Sequence, residues 1–439
     1  MVNAVARQSD AFHCSGARPQ GPYLADFSRM TRIAFFGHDA ADAAVRRRVQ
    51  GFRDDGLDVV GFTMRRRDDV QVDWENVDLG RTFDGAYSQR IKSIFSGAKR
   101  AAAQRDLLAS ADVIYARNLD MLATAFLAKR YARLKTPVIY EALDVHRLLT
   151  RKDLIGLALR RIEGALLGRT KRLVVSSPGF LENYFEVRHR GRYRPWLIEN
   201  RLAAGADYGV RPGRDDVLSK ATEPLRIGWI GRLRCTRSLE LLTDLARKLG
   251  PQVRIMMHGI ASPEEIPDFH QRIQGLDNVE FRGRYRAPED LSQIYGELDL
   301  VWAGDFMEAG YNSVWLLPNR LYEGGYYAVP SIAPEGTQTA KWINARAAGF
   351  TLAESLACTL PGLVRTLIAD RGAIAVKRSH LLDLPESTFV APRGELAAMI
   401  ADTLRDAGTG GRKPHRHQPP PRDHRRRGKS GDQHPMRGA

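Results

Sequence analysis

The sequence predicts an α/β protein made of two doubly wound, Rossmann-like domains that face each other across a cleft. Short apolar segments alternate with amphipathic segments of about 10–15 residues, a pattern typical of parallel strands connected by helices. The alternation stops at residues 201–223, which are rich in Gly, Asp and Arg, and then starts again. A chain of 439 residues, with 43 % hydrophobic and 27 % charged residues, suits two soluble domains of ordinary size.

The first domain is predicted to span residues 30–203, after an irregular extension at residues 1–29. Its predicted strands are residues 31–36, 57–62, 112–115, 138–140, 173–176 and 196–199. Its predicted helices are residues 41–54, 89–110, 119–134 and 154–167. Ligands of such sheets bind at the carboxyl ends of the strands, so functional residues are expected where these strands end.

The second domain is predicted to span residues 224–406, joined to the first by a linker at residues 204–223. Its predicted strands are residues 225–230, 253–258, 278–283 and 300–303, with a further helix and strand within residues 318–333. Its other predicted helices are residues 238–249 and 288–296. The cleft between two such domains is the natural ligand site.

The formal net charge of +16 comes partly from the end of the chain. Residues 411–439 contain nine Arg or Lys residues against two Asp residues, and almost no apolar ones. We therefore expect residues 407–439 to form a disordered basic tail. The sequence shows no long apolar run and three cysteines without metal-binding spacing, so we expect a cytoplasmic protein without a membrane-spanning helix or signal peptide.

A basic loop with the sequence GRLRCTRSLELL follows the first strand of the second domain. Gly231 closes the strand, and Arg232 and Arg237 flank the loop. Thr236 or Ser238 is expected to cap the helix that follows. Free backbone N–H groups at a helix N-terminus and two guanidinium groups suit a diphosphate. The alternative interpretation is a solvated basic loop.

The segment PNRLYEGG places a single carboxylate, Glu323, beside two glycines. Glycine within a helix costs about 1 kcal/mol relative to alanine, so Gly324 and Gly325 indicate a close approach by another element or a ligand. Val329 and Pro330 then turn the chain into a buried strand. The carboxylate therefore either binds a ligand or lies solvated on a helix-packing motif.

Polar residues also follow two strands of the first domain. His38 and Asp39 come directly after residues 31–36, and Asp144 follows residues 138–140. Each of these three side chains is a candidate catalytic group, because the ends of these strands face the cleft. The alternatives are a helix cap at Asp39 and a capped turn at Asp144.

Two motifs of the second domain resemble the GT-B glycosyltransferases of the family-4 type. They are Gly231-Arg232-Leu233 with Arg237, and Pro318-Asn319-Arg320-Leu321-Tyr322-Glu323 followed by Val329-Pro330. NVEFRG at residues 278–283 is similar to the strand that precedes the base-binding loop. GHDAADAAVRRRV, YEALDVHRLL and SSPGFLENYF resemble the bacterial succinoglycan-type exopolysaccharide glycosyltransferases.

This resemblance, which spans residues 31–370, implies a GT-B fold with the acceptor in the first domain and the donor in the second. It implies that Glu323 accepts hydrogen bonds from the ribose of a nucleotide-sugar. The implied donor-binding residues are Gly231, Arg232, Arg237, Asn319, Arg320, Leu321 and Glu323. No Asp-X-Asp pair lies in a convincing loop, so we expect no metal and no cofactor apart from the UDP-sugar donor substrate.

The sequence departs from the family pattern at two positions. Many family-4 enzymes carry a second glutamate eight positions before the ribose-binding one, where this chain has Trp315. Asn312, Ser313 or Asp305 are candidates to replace it as a contact of the donor sugar. Ala328 stands where the family usually has the glycine before Val-Pro.

Residues 151–172 combine seven basic residues with apolar ones at helical spacing. They either contact an anionic membrane at the inner face of the plasma membrane or form an ordinary sheet-covering helix with a solvated basic face.

We expect a glycosyltransferase that moves a sugar, glucose by resemblance, from a nucleoside-diphosphate sugar to a lipid-linked oligosaccharide in exopolysaccharide biosynthesis. One alternative is a UDP-sugar epimerase on the same fold. Another is a nucleic-acid-binding basic protein, which we disfavour because the charge is concentrated in the tail and no basic and aromatic module is evident.

Overall fold

The computed structural model describes residues 30–82, 87–218, 224–308 and 310–408, which form two parallel β-sheets covered by helices. The predicted extension at residues 1–29 and the basic tail from residue 409 onward lie outside the described residues.

The first sheet has the strand order β3-β2-β1-β4-β5-β6-β7, with every neighbouring pair parallel. Its strands are β1 (Arg32–Gly37), β2 (Asp58–Arg65), β3 (Asn76–Arg81), β4 (Val113–Arg117), β5 (Val138–Ala142), β6 (Arg172–Val175) and β7 (Pro195–Leu197). The helices of this half are α1 (Ala43–Asp54), α2 (Tyr87–Ala103), α3 (Arg105–Ala109), α4 (Leu119–Tyr131), α5 (Arg147–Thr150), α6 (Leu154–Leu167), α7 (Pro178–Phe180) and α8 (Glu186–His189). A π-helical turn, Leu181–Phe185, connects the last two.

The second sheet has the order β10-β9-β8-β11-β12-β13, again with parallel neighbours. Its strands are β8 (Leu225–Leu233), β9 (Val253–Ala261), β10 (Val279–Gly283), β11 (Leu300–Trp302), β12 (Ser331–Pro334) and β13 (Gly349–Leu352). The helices that precede or accompany it are α9 (Arg214–Leu218), α10 (Thr236–Leu249), α11 (Phe269–Ile273), α12 (Leu291–Gly296), α13 (Asn312–Trp315), α14 (Asn319–Tyr326), α15 (Gln338–Arg346), α16 (Leu356–Ala369), α17 (Gly372–Asp383) and α18 (Glu395–Gly408). Short 3₁₀ turns cover Gly250–Gln252 and Glu386–Thr388.

Strand β1 shows why the apolar runs fold as predicted. A central parallel strand is covered on both faces, so both sets of alternating side chains must be apolar. Ile33 and Phe35 pack in the core on one face, and Ala34 and Phe36 pack in the core on the other. The β1 strand therefore ends, at Gly37, with its carboxyl end fixed between two packed layers.

Two of the elements that the sequence-based prediction did not contain show its limits. β3 is an edge strand whose polar residues Asn76, Asp78 and Arg81 interrupt the apolar pattern. Helix α9 lies within the segment predicted as a linker, where its two acidic residues, Asp215 and Asp216, occupy the first turn. Both elements are short and polar, which is why hydrophobic periodicity does not reveal them.

The last helix, α18, packs on the first sheet although the prediction assigned residues 224–406 to the second domain. Leu396, Met399 and Ile400 lie in the same apolar core as residues of β1. Asp55, at the end of α1, accepts hydrogen bonds from the backbone N–H groups of Gly394, Leu396 and Ala397, at 2.7, 2.8 and 3.2 Å. The chain thus crosses between the two sheets twice.

The two crossings lie side by side. The backbone N–H of Leu202 donates to Phe389 O, and that of Ala391 donates to Leu202 O, both at 2.8 Å. Next to them, the side-chain amide of Asn200 donates to Leu317 O at 3.2 Å. Because only these two segments connect the sheets covalently among the described residues, they are the positions where relative movement of the two halves is expected.

Candidate active site

The carboxyl ends of the two sheets face each other and make direct contacts. The backbone N–H of Val145, after β5, donates to Asn312 Oδ1 at 3.2 Å. Ser177, after β6, donates to the carbonyl of Trp315. Both partners belong to the segment that follows β11, so this segment forms the contact between the two walls of the cleft.

Two exposed guanidinium groups flank the basic loop, one from Arg232 near the end of β8 and one from Arg237 at the start of α10. Arg232 lies 3.9 Å from Glu264, and both side chains are largely exposed. Arg237, in the first turn of α10, donates to both carboxylate oxygens of Glu354 at 2.9 Å and lies 4.4 Å above the ring of Phe306. Both arginines are thus exposed beside a helix N-terminus, each near a carboxylate, and diphosphate binding by them stays a prediction.

The cap of α10 is Cys235, not Thr236 or Ser238. Its Sγ accepts hydrogen bonds from the backbone N–H groups of Ser238 at 3.4 Å and Phe306 at 3.3 Å. Thr236 is the first helical residue instead. The prediction of the cap was wrong because a thiol is a weak acceptor and is not among the preferred capping residues. The cysteine joins the loop after β8 to the segment after β11.

Gly231 lies within β8 in the left-handed region, with a φ of 116°. A Cβ atom at Gly259, on the neighbouring strand β9, would lie only 1.7 Å from the Gly231 carbonyl oxygen. The two strands therefore approach each other so closely at their carboxyl ends that a side chain at Gly259 is excluded, and the segment from Arg232 to Arg237 starts from this fixed point.

Glu323 is buried in α14, and its carboxylate has one protein donor among the described residues. The hydroxyl of Tyr295 donates to Glu323 Oε2 at 2.6 Å. Burial raises the pKa of Glu323, against the opposing effects of the Tyr295 hydrogen bond and the charges of Arg47 and Arg320. The carboxylate is thus held in place by one donor and retains acceptor capacity for a ligand.

The two glycines after Glu323 are explained by packing. A Cβ atom on Gly325 would lie 2.3 Å from Phe389 Cε1, and one on Gly324 would lie 3.2 Å from Val329 O. Close approach by neighbouring protein groups, one of the predicted explanations, therefore accounts for both positions.

Asn319, Arg320 and Leu321 have different environments. Asn319 is the first residue of α14 and lines a cavity of about 400 Å³ between the two halves of the protein. Arg320 is buried and donates to the carbonyls of Trp302 and Gly304, both at 2.9 Å. Leu321 lies in the apolar core. Arg320 thus holds the start of the segment after β11, and its role as a direct donor contact remains a prediction.

His38 and Asp39 lie at the end of β1. His38 Nε2 is 3.8 Å from Asp42 Oδ2, and its Nδ1 is buried without a hydrogen-bond partner among the described residues. Asp39 is buried and accepts a hydrogen bond from the Ala41 N–H at 3.1 Å. The cap of α1 is Asp42, not Asp39. Asp39 therefore stabilises the turn before the helix.

Asp144 is exposed at the end of β5, and it faces a carboxyl group that the sequence analysis missed. Burial and then the charge of Asp144 raise the pKa of Glu308, which lies half-buried in the segment after β11. His146, not Asp144, caps α5 by accepting from the Leu148 N–H at 3.3 Å. One carboxyl group thus comes from each wall of the cleft. The only sequence signal for Glu308 is its place after a buried strand.

The residues suggested as replacements for the missing glutamate have structural contacts. Ser313 Oγ donates to Asp305 Oδ1 at 3.0 Å and accepts from the Glu308 N–H at 2.9 Å. Asn312 accepts the Val145 N–H across the cleft. Trp315 packs so closely on Gly179 that a Cβ atom there would lie 2.5 Å from the Trp315 carbonyl oxygen. The contacts of Asp305, Asn312, Ser313 and Trp315 therefore hold the segment after β11 in place.

One curated relative of known sequence matches most of the chain. It is the succinoglycan biosynthesis protein ExoL of Rhizobium meliloti (strain 1021), 39 % identical over 349 residues, which cover 78 % of this chain and 87 % of the relative. The chain belongs to the ExoL family. No protein-family model matches this ExoL-family chain.

Solved structures confirm the predicted fold of this ExoL-family protein. HepE from Anabaena, solved in complex with UDP, has a TM-score of 0.62 and 17 % identity, covering 86 % of this chain and all of HepE. Sucrose-phosphate synthase from Thermosynechococcus elongatus has a TM-score of 0.64 and 14 % identity, covering 87 % of this chain and all of the synthase. Both matches span the two sheets, so the GT-B arrangement applies to the molecule as a whole.

Two features are absent from the described residues, grouped metal ligands and membrane-spanning helices. In the part of the chain that the structure describes, no three His, Cys, Asp or Glu side chains are grouped as a metal ion would require. None of the described helices combines the length and apolarity needed to cross a bilayer.

Proposed function

We propose that this protein transfers a sugar, glucose in the first instance, from a nucleoside-diphosphate sugar to a lipid-linked oligosaccharide during exopolysaccharide synthesis. The observation that carries the proposal is the position of two kinds of group at neighbouring strands. The exposed arginines Arg232 and Arg237 lie at the end of β8 and the start of α10, and the buried carboxylate of Glu323 lies on α14, which follows the adjacent strand β11. Two comparisons with known proteins support the choice of donor and pathway. ExoL is a succinoglycan biosynthesis protein, and HepE is solved with UDP-glucose.

The donor would lie with its diphosphate against Arg232 and Arg237 and its ribose on Glu323. Guanidinium groups bind phosphate oxygens through two parallel hydrogen bonds, and the N-terminus of α10 adds a favourable partial positive charge. A carboxylate accepts hydrogen bonds from two adjacent hydroxyls. These positive groups can stabilise the departing diphosphate, so the proposed reaction uses no metal and no cofactor.

The acceptor would enter from the first domain, where His38, Asp39 and Asp144 lie near the cleft. A transfer with retention lets the leaving phosphate take the acceptor proton, whereas inversion requires a protein base within hydrogen-bond reach. We favour retention on the family-4 resemblance. Of the three candidates, Asp144 is the exposed one, and its negative charge contributes to the raised pKa of Glu308.

The outer face of α6 supports the proposed contact with an anionic membrane. Leu154 is 82 %, Ile155 55 % and Ile162 50 % exposed. Exposed Lys152 and Arg161 stand next to them. The apolar side chains would enter the headgroup region, and the basic residues beside them would attract anionic lipids. Together they would place the enzyme at the inner face of the plasma membrane, where a lipid-linked acceptor is found.

The proposal is tested by incubating the protein with a panel of nucleotide-sugars and a lipid-extract acceptor, followed by mass spectrometry. The expected result is a lipid-linked product that is heavier by one sugar residue, together with free nucleoside diphosphate. Conversion of the nucleotide-sugar into an isomer without an acceptor product would instead identify an epimerase.

A further inference from the structure

Helix α1 carries three consecutive arginines, and two of them are engaged within the first domain. Arg46 donates to Ala40 O at 3.1 Å and to Gln71 O at 2.6 Å. Arg48 donates to Glu141 Oε1 through both Nε and Nη2, at 3.1 and 2.6 Å. The positions of these two side chains are therefore accounted for by the fold of the first domain.

Arg47 differs from both neighbours. It forms no hydrogen bond and no ion pair with any residue in the described part of the chain, and its side chain is exposed. Fixing a long side chain costs rotamer entropy, which contacts must offset. An arginine without contacts in the protein therefore either stays in solvent or forms its contacts with a ligand.

The location of Arg47 separates these two possibilities. It lines a cavity of about 400 Å³ together with Asn319, the first residue of α14, while the other lining residues come from the first domain and the two crossing segments. Its positive charge acts on Glu323 and on Tyr285, which belong to the second domain. A guanidinium group of the first domain thus lies at the cleft beside the start of α14, the helix that carries Glu323.

We propose that Arg47 is a donor-binding residue that the first domain contributes across the cleft to the nucleoside diphosphate. This inference about Arg47 rests on the proposed function, because its ligand is the donor named there. Guanidinium groups pair with phosphate oxygens and also donate to sugar and carbonyl oxygens, and Arg46 and Arg48 already donate within the first domain. Since Arg47 and Glu323 lie on opposite walls, a donor that contacts both favours the closed arrangement of the two halves.

The test is calorimetric titration of UDP into the wild type, Arg47→Ala and Arg47→Gln. Hydrogen bonds to charged groups contribute about 1.5–3 kcal/mol, which corresponds to an affinity loss of about tenfold or more for Arg47→Ala. Arg47→Gln, which keeps part of the side-chain stem, should lose affinity as well. The matched control is Arg53→Ala, which removes an exposed arginine of the same helix that pairs with Asp73 instead.

The outcomes are distinguishable. If the wild type binds UDP and both Arg47 variants bind it equally well, the inference about Arg47 is overturned while the proposed function stands. If only the acceptor KM changes in Arg47→Ala, the inference is overturned too. If the wild type binds no nucleoside diphosphate, the proposed function fails and the inference fails with it.

Discussion

The hydroxyl of Tyr295 donates a hydrogen bond of 2.6 Å to Glu323 Oε2, and both side chains are buried. No described residue donates to the other carboxylate oxygen, Oε1. Oε1 is not among the fully enclosed unpartnered polar atoms of the described residues, so it is open to a hydrogen bond from water or a ligand. This relationship distinguishes Glu323 from a glutamate that only stabilises a helix, and it is the basis of the first two predictions.

Glu323→Gln should weaken UDP binding about tenfold or more, because the amide replaces one charged acceptor by a donor and hydrogen bonds to charged groups contribute about 1.5–3 kcal/mol. The melting temperature of the apo protein should change little. Calorimetry and thermal unfolding measure the two effects, with Glu289→Gln, an exposed glutamate of the same domain, as the control. A variant that unfolds early and still binds UDP normally would identify the carboxylate as structural.

The affinity for UDP should fall as the pH decreases, in a window that lies above the usual titration range of glutamate. Burial raises the pKa of Glu323, and the ribose hydroxyls bind its charged form. The same raised pKa has the opposite effect on the apo protein: the folded state binds the proton more tightly than the unfolded state, so this group's contribution to stability increases as the pH falls through the window. Calorimetry across pH should show that the affinity of the wild type for UDP falls as the pH decreases. The same fall in Glu323→Gln would contradict the assignment.

Arg237→Ala should reduce the affinity for UDP by about tenfold or more, by the same free-energy range for hydrogen bonds to charged groups. Arg232→Ala should act in the same direction. Arg247→Ala is the control, because Arg247 lies in the last turn of the same helix and pairs with Asp244. Unchanged UDP affinity in both loop variants would remove the diphosphate from this loop.

Ile155→Asp should reduce binding to vesicles that contain anionic lipids, since burial of one such side chain contributes about 1.5–3 kcal/mol, or roughly tenfold or more in the partition constant. Val376→Asp is the control: Val376 is similarly exposed, at 54 %, but lies on α17 of the second domain. Cosedimentation at low and high salt measures both. Equal losses in the two variants would argue against α6 as the membrane-contacting surface.

The anomeric configuration of the product should match that of an α-linked donor, as measured by NMR. A β-linked product would overturn retention and make His38, Asp39 or Asp144 the candidate base. Alanine at the true base would then lower kcat by about 10²–10⁴ with little effect on UDP affinity.

The sequence predicted those features that depend on local pattern. The apolar run of β1 and the glycines beside Glu323 follow from burial and close packing, and both could be read directly. Glu308 could not, because its raised pKa depends on burial in the folded protein and on the charge of Asp144 from the other domain. For the same reason, the attachment of α18 to the first sheet depends on Asp55, which lies more than three hundred residues earlier in the chain.

The cap at Cys235 and the use of Arg320 show a second limit. Residue type suggested Ser or Thr as the cap, and the family resemblance implied that Arg320 binds the donor. The structure uses the thiol to join two loops, and the Arg320 guanidinium donates to backbone carbonyls, while its role in donor binding stays a prediction. A motif fixes which residues meet near a site, but the choice between binding a ligand and supporting the backbone is decided by tertiary contacts.

The most direct test of the central claim is mass spectrometry of the lipid-linked products formed from UDP-glucose and a lipid-extract acceptor, with wild-type protein and Glu323→Gln in parallel. We predict an acceptor extended by one hexose with the wild type, and a strongly reduced yield at limiting donor with the variant. If a panel of other nucleotide-sugars and the same acceptor also leave the wild-type reaction without any extended product, the assignment as a nucleotide-sugar-dependent transferase is contradicted.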